Sequence, residues 1–217
     1  MKLVSVNVGQ PRPIQWMGRE VLTSIYKQPV AGSVALRGFN LDGDAQSDLG
    51  VHGGADKAVY GYPCEHYAFW RSQLPQVELA WGAFGENLTT QGLAEEDLSI
   101  GDVLRVGSAH LMVSQPRIPC FKLAVRLGVP DMVKRFLSSR RLGFYFSVVS
   151  EGEVACGDAI EVVDRASNRM SVRELTEVHL DKHRSVEVLE RVLGLRGLAQ
   201  VWRDEFAAEL GALRTQP

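Results

Sequence analysis

The sequence predicts a mainly β fold followed by a small α-helical C-terminal segment. Short runs of alternating or β-branched apolar residues, separated by glycine-containing turns, fill the first two-thirds of the chain. After about residue 165, apolar residues recur at helical spacing instead. Many short strands joined by glycine-rich turns are typical of a barrel or a sandwich.

The expected strands are residues 3–8, 20–26, 33–39, 103–106, 110–114, 145–150 and 159–163. Helical patterns interrupt them at residues 63–74, with Pro63 in the first turn, and at residues 121–137, split near Gly128.

Three short helices are expected in residues 171–213, where Ser171 and Glu174 form a capping box. Each is too short to be stable alone in water, so it must pack on something. We expect a β domain at residues 1–165 and a three-helix segment at residues 166–217. The pattern leaves open whether the segment packs on its own β domain, on a second copy in a homodimer or on another protein.

Composition narrows the class of protein. Charge is nearly balanced, with 24 Lys and Arg against 26 Asp and Glu, which disfavours a nucleic-acid polymer as partner. The N-terminus reads as a strand rather than a signal peptide, and no apolar stretch approaches a membrane span, so no membrane partner is expected. Three scattered cysteines fit a reducing compartment, and we expect a cytoplasmic location.

Cys120 is the first candidate for chemistry. It follows a predicted strand, opens a predicted helix and is flanked by Arg117 and Lys122. The helix dipole and both cations favour a thiolate, which is a good nucleophile and a good metal ligand. Taken alone, the spacing is equally compatible with a small buried apolar residue.

The residues around Cys120 are strongly basic. Residues 117–141 contain seven Lys and Arg and a single acidic residue, Asp131. A basic stretch beside a reactive thiol suits an anionic small ligand such as a phosphate-bearing cofactor. A solvated helix face is the alternative, above all for Arg140 and Arg141.

A second candidate is the glycine-containing stretch at residues 48–58. Gly53 and Gly54 would let backbone N–H groups approach an anion, Lys57 could supply a counter-charge, and His52 could supply a proton. The alternative is a tight turn. Asn87, which follows a buried-looking Phe-Gly-Glu run, could line a pocket or form a bulge.

Together these stretches resemble the MOSC family, named for the C-terminal domain of molybdenum cofactor sulfurases. The resemblance is carried by six ordered segments: 52–58 (HGGADKA), 62–67 (YPCEHY), 84–88 (FGENL), 101–102 (GD), 115–120 (QPRIPC) with Lys122, and 143–145 (GFY). Each is moderately specific, but the ordered set is highly specific and covers nearly all of residues 1–165. The helical tail is similar to a three-helix segment that follows the domain in one bacterial subfamily.

The resemblance implies a β-barrel with inserted helices and a molybdopterin-type cofactor, with Cys120 as metal ligand or sulfur carrier. Related members reduce N-hydroxylated bases and amidoximes with electrons from a partner reductase. We expect Cys120 and His52 to be catalytic, Asn87 to lie with His52 near the metal, and the following residues to hold the cofactor: Gly53, Gly54, Lys57, Arg117 and Lys122.

Three hypotheses follow. The first is a molybdenum-dependent reductase of N-hydroxylated compounds. The second is a carrier of sulfur or cofactor on Cys120 that is not itself catalytic, and the third is a module that binds an anionic ligand. The sequence disfavours pyridoxal phosphate, since it shows no dedicated partner for the ring nitrogen.

Overall fold

The computed structural model describes residues 1–47 and 53–215. Its twelve strands are β1 (Lys2–Val8), β2 (Arg12–Trp16), β3 (Arg19–Thr23), β4 (Gln28–Pro29), β5 (Ser33–Leu36), β6 (Val59–Pro63), β7 (Leu88–Gln91), β8 (Val103–Val106), β9 (Ala109–Pro116), β10 (Phe144–Ser150), β11 (Gly152–Ala155) and β12 (Ile160–Asp164). Its six α-helices are α1 (Glu65–Gln73), α2 (Phe121–Leu127), α3 (Met132–Ser139), α4 (Val172–Leu180), α5 (Val186–Leu193) and α6 (Gln200–Thr215). A 3-10 turn, Ala55–Lys57, precedes β6.

An eight-stranded sheet dominates the fold, with strand order β12-β8-β9-β10-β6-β7-β1-β4. All its neighbours are antiparallel except β6 and β7, which run parallel. Two antiparallel pairs of strands, the β2–β3 hairpin and the long-range pair β5–β11, form separate two-stranded sheets. The fold is thus sheet-dominated with helices and a helical C-terminal segment.

The barrel expected from the resemblance stays a prediction. Within residues 1–47 and 53–215, the strand ladders do not join the two ends of the sheet. One isolated bridge, between Lys2 and Ala159, links the start of β1 to the residue before β12. Backbone hydrogen bonds from Leu3 N to Asp158 O and from Ile160 N to Met1 O reinforce it, at 2.8 and 3.0 Å.

Several sequence predictions needed correction. Pro63 does not open a helix, because it ends β6, which is buried between β7 and β10, and α1 begins only at Glu65. The strand expected at residues 20–26 ends at Thr23. The strand expected at residues 33–39 ends at Leu36, because the backbone turns through a hydrogen bond from Arg37 N to Asn40 O.

The predicted break near Gly128 is confirmed. Gly128 follows α2 in the left-handed conformation, with φ of 66°, and its N–H bonds back to the last turn of the helix. The capping box of α4 is also present, with Ser171 and Glu174 exchanging side-chain and backbone hydrogen bonds.

The C-terminal helices pack on the chain's own sheet. Their apolar residues, including Leu175, Leu189, Trp202 and Phe206, belong to the same buried cluster as Leu104 and other sheet residues. The residues before and after position 165 therefore share one hydrophobic core. The division into two domains at that position stays a prediction.

We predict that Phe206→Ala lowers the free energy of unfolding of the whole protein by about 3–5 kcal/mol, because it removes a fully buried ring from that shared core. Urea denaturation followed by circular dichroism measures this. Val201→Ala, at an exposed position of the same helix, is the matched control and should change little. A separate early transition confined to the C-terminal helices would contradict a shared core.

Candidate functional site

Cys120 lies at the end of a rigid turn between β9 and α2. Its backbone is extended, with φ of −124°, and its carbonyl accepts the N–H of Leu123 at 3.0 Å. The side chain is half-buried rather than sealed in the core. Because α2 begins at the next residue, the sulfur lies beside the positive end of the helix, as predicted from the sequence.

The sulfur borders a cavity of about 100 Å³ that opens to solvent. Four cationic side chains and one carboxylate are the charged groups that the structure describes in its lining: Lys27, Lys57, Arg117, Lys122 and Asp44. The cavity wall beside Cys120 is therefore electropositive, which favours an anionic occupant.

Arg117 is the most buried of these cations. It is 5% exposed and lies 5.2 Å from the ring centroids of both Tyr60 and Phe136. Its Nη1 is buried without a hydrogen-bond partner among the described groups. A buried donor left unpaired costs free energy, so this atom marks a place where an anionic group could bind.

Two tyrosines complete the wall next to Arg117. The rings of Tyr60 and Tyr145 lie 5.2 Å apart, and both line the cavity. Burial raises the pKa of both phenols, against the opposing effect of the Arg117 charge. Both therefore stay protonated at neutral pH. The Tyr60 hydroxyl donates to Leu142 O at 2.7 Å.

A buried ion pair forms another part of the lining. Lys27 and Asp44 are 8% and 3% exposed at their side chains and hydrogen-bond directly to each other. Burial lowers the pKa of Lys27, and the Asp44 charge opposes that shift. Asp44 also accepts the N–H of Gly9 at 2.7 Å and the amide of Asn87 at 2.9 Å.

Asn87 lines the cavity, but its amide is committed to the protein. Its Oδ1 accepts the N–H of Tyr60, and its Nδ2 donates to Asn7 O and to Asp44. The structure therefore shows it bracing three segments of the cavity wall. Its predicted position near a metal stays a prediction.

The glycine-containing stretch lies to one side of Cys120. Gly53 and Gly54 line a second cavity, of about 270 Å³, and Lys57 borders both cavities. Gly54 has φ of 95°, and its N–H is already bonded to Gln46 Oε1 at 2.9 Å. His52 lies outside the described residues, so its role stays a prediction.

The structure thus brings Lys57, Asn87, Arg117, Lys122 and Cys120 to one cavity, and it places Gly53 and Gly54 beside it. Sequence reasoning missed Lys27, whose pairing with Asp44 depends on contact between two loops. It also gave Tyr145 no role, although the segment 143–145 carried part of the family resemblance.

The other two cysteines lie outside this cavity. Cys64 donates weakly to Glu65 at 3.6 Å, and the exposed Cys156 donates to Val4 O at 2.9 Å. Two histidines outside this cavity contact other side chains: His66 Nε2 lies 2.8 Å from a Glu95 oxygen, and His179 stacks on Trp202.

Comparison with known proteins shows the family. The MOSC domain matches residues 48–161, which is more than half of the chain. The chain belongs to the MOSC family. Cys120 lies within the matched region, and the three-helix segment follows that region.

Three relatives set this MOSC protein in context. It is 41% identical to the uncharacterized protein YflK of Bacillus subtilis over 94% of this chain and 92% of the relative. It is 36% identical to protein YiiM of Escherichia coli over 83% of this chain and 81% of that relative. A protein of Gibberella moniliformis named reductase is 35% identical over 80% of this chain, which spans only 31% of that longer protein.

Solved structures agree with this placement. The crystal structure of YiiM from Geobacillus stearothermophilus superposes with a TM-score of 0.81 at 32% identity, over 96% of this chain and 98% of the other.

No helix in residues 1–47 and 53–215 has the length and apolar character to cross a membrane.

We predict that Cys64 stays a thiol at neutral pH. Burial, and then the charge and hydrogen bond of Glu65, raise the pKa of this thiol to about 11. In a variant whose other cysteines are serine (Cys120→Ser, Cys156→Ser), the rate of alkylation by iodoacetamide should rise about tenfold per pH unit up to pH 10.

The added change Glu65→Gln should move that profile to lower pH, since it removes the second cause of the shift but leaves the burial. A rate that is already constant between pH 8 and pH 10 would show that the Cys64 pKa is not raised.

Proposed function

We propose that this MOSC protein is a molybdenum-cofactor-binding oxidoreductase that reduces N-hydroxylated bases or related N-oxygenated compounds, with Cys120 as the thiolate ligand to molybdenum. The observation that carries the proposal is the half-buried Cys120 on the wall of an electropositive cavity. Membership of the MOSC family and the reductase-named relative support it.

The residues present fit a molybdopterin-type cofactor. Within the described parts of the chain, no group of three or more His, Cys, Asp or Glu side chains could hold a metal ion. A metal at Cys120 would therefore need donor atoms that the ligand itself brings, which a pterin dithiolene has. The unpaired Nη1 of Arg117 and the neighbouring Lys57 and Lys122 fit the anionic groups of such a cofactor.

Each residue would then have a defined task. When bound, the cofactor would supply the redox chemistry that removes the oxygen atom from the substrate with two electrons. Arg117, Lys57 and Lys122 would hold its negative charge, while Cys120 would fix its position. Asn87 and the Lys27–Asp44 pair would keep the opposite wall rigid, because their hydrogen bonds join separate segments of the chain.

The overall reaction consumes protons as well as electrons. Reducing R–NH–OH to R–NH₂ and water requires two electrons and two protons. The Tyr145 phenol remains protonated because burial raises its pKa, so its hydroxyl could donate a hydrogen bond to the departing oxygen. Solvent at the open mouth of the cavity would replace the protons.

Electrons would come from a partner reductase. This chain corresponds to 31% of the length of the fungal reductase, so most of that protein lies outside the shared region. We infer that a reductase partner supplies electrons to this MOSC domain.

We predict about one molybdenum per chain after expression in a host that makes the cofactor, and reduction of N-hydroxyadenine with a chemical or enzymatic electron donor. Cys120→Ala should abolish that reduction because it removes the proposed metal ligand. Metal analysis and product chromatography measure the two quantities, with protein from a cofactor-deficient host as the blank.

Cys156→Ala is the matched control, since this cysteine is exposed and does not line the cavity, and it should retain full activity. Full activity in Cys120→Ala would refute the ligand assignment. A cyanide-labile sulfur on Cys120 without molybdenum or turnover would instead support the carrier hypothesis.

A further inference from the structure

Two arginines from distant parts of the chain meet on one tyrosine ring. The guanidinium carbon of Arg12, at the start of β2, lies 3.1 Å from the ring centroid of Tyr26. That of Arg126, in the last turn of α2, lies 4.8 Å from the same centroid. The ring attracts both cations and so brings two like charges together.

Neither charge is neutralised in the described chain. Within residues 1–47 and 53–215, no carboxylate lies within 4.0 Å of either guanidinium, and Arg126 Nε is buried without a hydrogen-bond partner. Burial lowers the pKa of Arg126, and the nearby Arg12 charge adds to that shift, while Tyr26 opposes it. The arrangement therefore stores electrostatic repulsion that an anion would relieve.

Most other exposed arginines of the fold have a carboxylate partner. Arg105 pairs with Glu161 at 2.6 Å, Arg135 with Asp131 at 2.9 Å and Arg196 with Asp164 at 2.7 Å. Among the described residues the exposed Arg19, Arg71 and Arg169 also lack such a partner, but Arg12 and Arg126 differ from them because both lie on one aromatic ring. Because no described carboxylate supplies a counter-charge to this pair, it is a candidate site for a ligand from outside the chain.

The arginine pair is linked to the Cys120 cavity through neighbouring residues of the chain, and none of Arg12, Tyr26 and Arg126 lines that cavity. Tyr26 stands between Ile25 and Lys27, and both of these line that cavity. Arg126 follows Cys120 by six residues, which is about 9 Å of rise along α2.

We propose that Arg12 and Arg126 form a binding site for the phosphate group of a small ligand such as a nucleotide, distinct from the cations around Cys120. A phosphate monoester carries close to two negative charges and three acceptor oxygens, which match two guanidinium forks in charge and geometry. A single carboxylate would leave one of the two charges uncompensated.

The site can be observed directly through the arginine side chains. In protein labelled with ¹⁵N-arginine, the Nε–H signals of Arg12 and Arg126, assigned from Arg12→Gln and Arg126→Gln, should shift saturably as inorganic phosphate is added. Sodium chloride at matched ionic strength should not reproduce the shift. Calorimetry should show phosphate affinity falling at least about tenfold in either variant.

Arg105→Gln is the matched control, because it removes one positive charge from an arginine that has its own carboxylate, and it should leave phosphate binding unchanged. Lys122→Gln should leave the Arg12 and Arg126 shifts unchanged, which separates this site from the Cys120 cavity. If Arg126→Gln does not fold, the exposed Arg12→Gln still provides the test.

Two further ligands distinguish the source of the phosphate. Cytidine 5′-monophosphate binding more tightly than inorganic phosphate, with no binding of cytidine, would indicate a nucleotide. Equal affinity for the monophosphate and inorganic phosphate would indicate recognition of the phosphate group alone. Phosphate that leaves the Arg12 and Arg126 signals unmoved, or moves them no more than chloride does, would overturn the proposal.

Discussion

The Arg117 guanidinium lies buried beside Cys120, held between the rings of Tyr60 and Phe136, with no hydrogen-bond partner for Nη1 among the described groups. A buried cation is costly unless a negative charge or hydrogen-bond acceptors compensate for it. Aromatic faces give partial compensation. The remaining imbalance favours an anionic occupant of the cavity.

The rest of the fold keeps this charge and the thiol in place. The turn that carries Arg117 and Cys120 follows the end of β9. The C-terminal segment forms hydrogen bonds to that strand and to the segment around Lys57. Ala199 N donates to Ser114 O at 3.3 Å, and Ser114 Oγ donates to Asp56 O at 2.6 Å. Asp56 also accepts the N–H of Gln200 at 2.8 Å. The helical segment thereby links the segment around Lys57 to the strand that leads to Cys120.

Local pattern predicted the parts of the fold that depend on neighbouring residues. Residues 103–106 alternate and form β8, the break at Gly128 follows from its left-handed conformation, and the capping box starts α4. β6 and β7 were missed. The five residues of β6 are all buried, so that strand shows no alternation of apolar and polar positions, and Pro63 at its end suggested a helix start.

Some residues of the candidate site could likewise be predicted from the local sequence, and others could not. Cys120, Arg117 and Lys122 stand together in the sequence, so their common location was predictable. The contacts of Lys27 with Asp44, and of Asn87 with three different segments, join residues 17 to 80 positions apart and leave no local pattern. The meeting of Arg12 and Arg126 on Tyr26 is likewise a product of the tertiary fold alone.

The central claim is that the sulfur of Cys120 contacts the metal of a cofactor held by this cationic cavity. X-ray absorption at the molybdenum edge tests it most directly, by comparing cofactor-loaded wild-type protein with cofactor-loaded Cys120→Ser. We expect one fewer sulfur neighbour around molybdenum in the variant. An unchanged set of sulfur neighbours would contradict it.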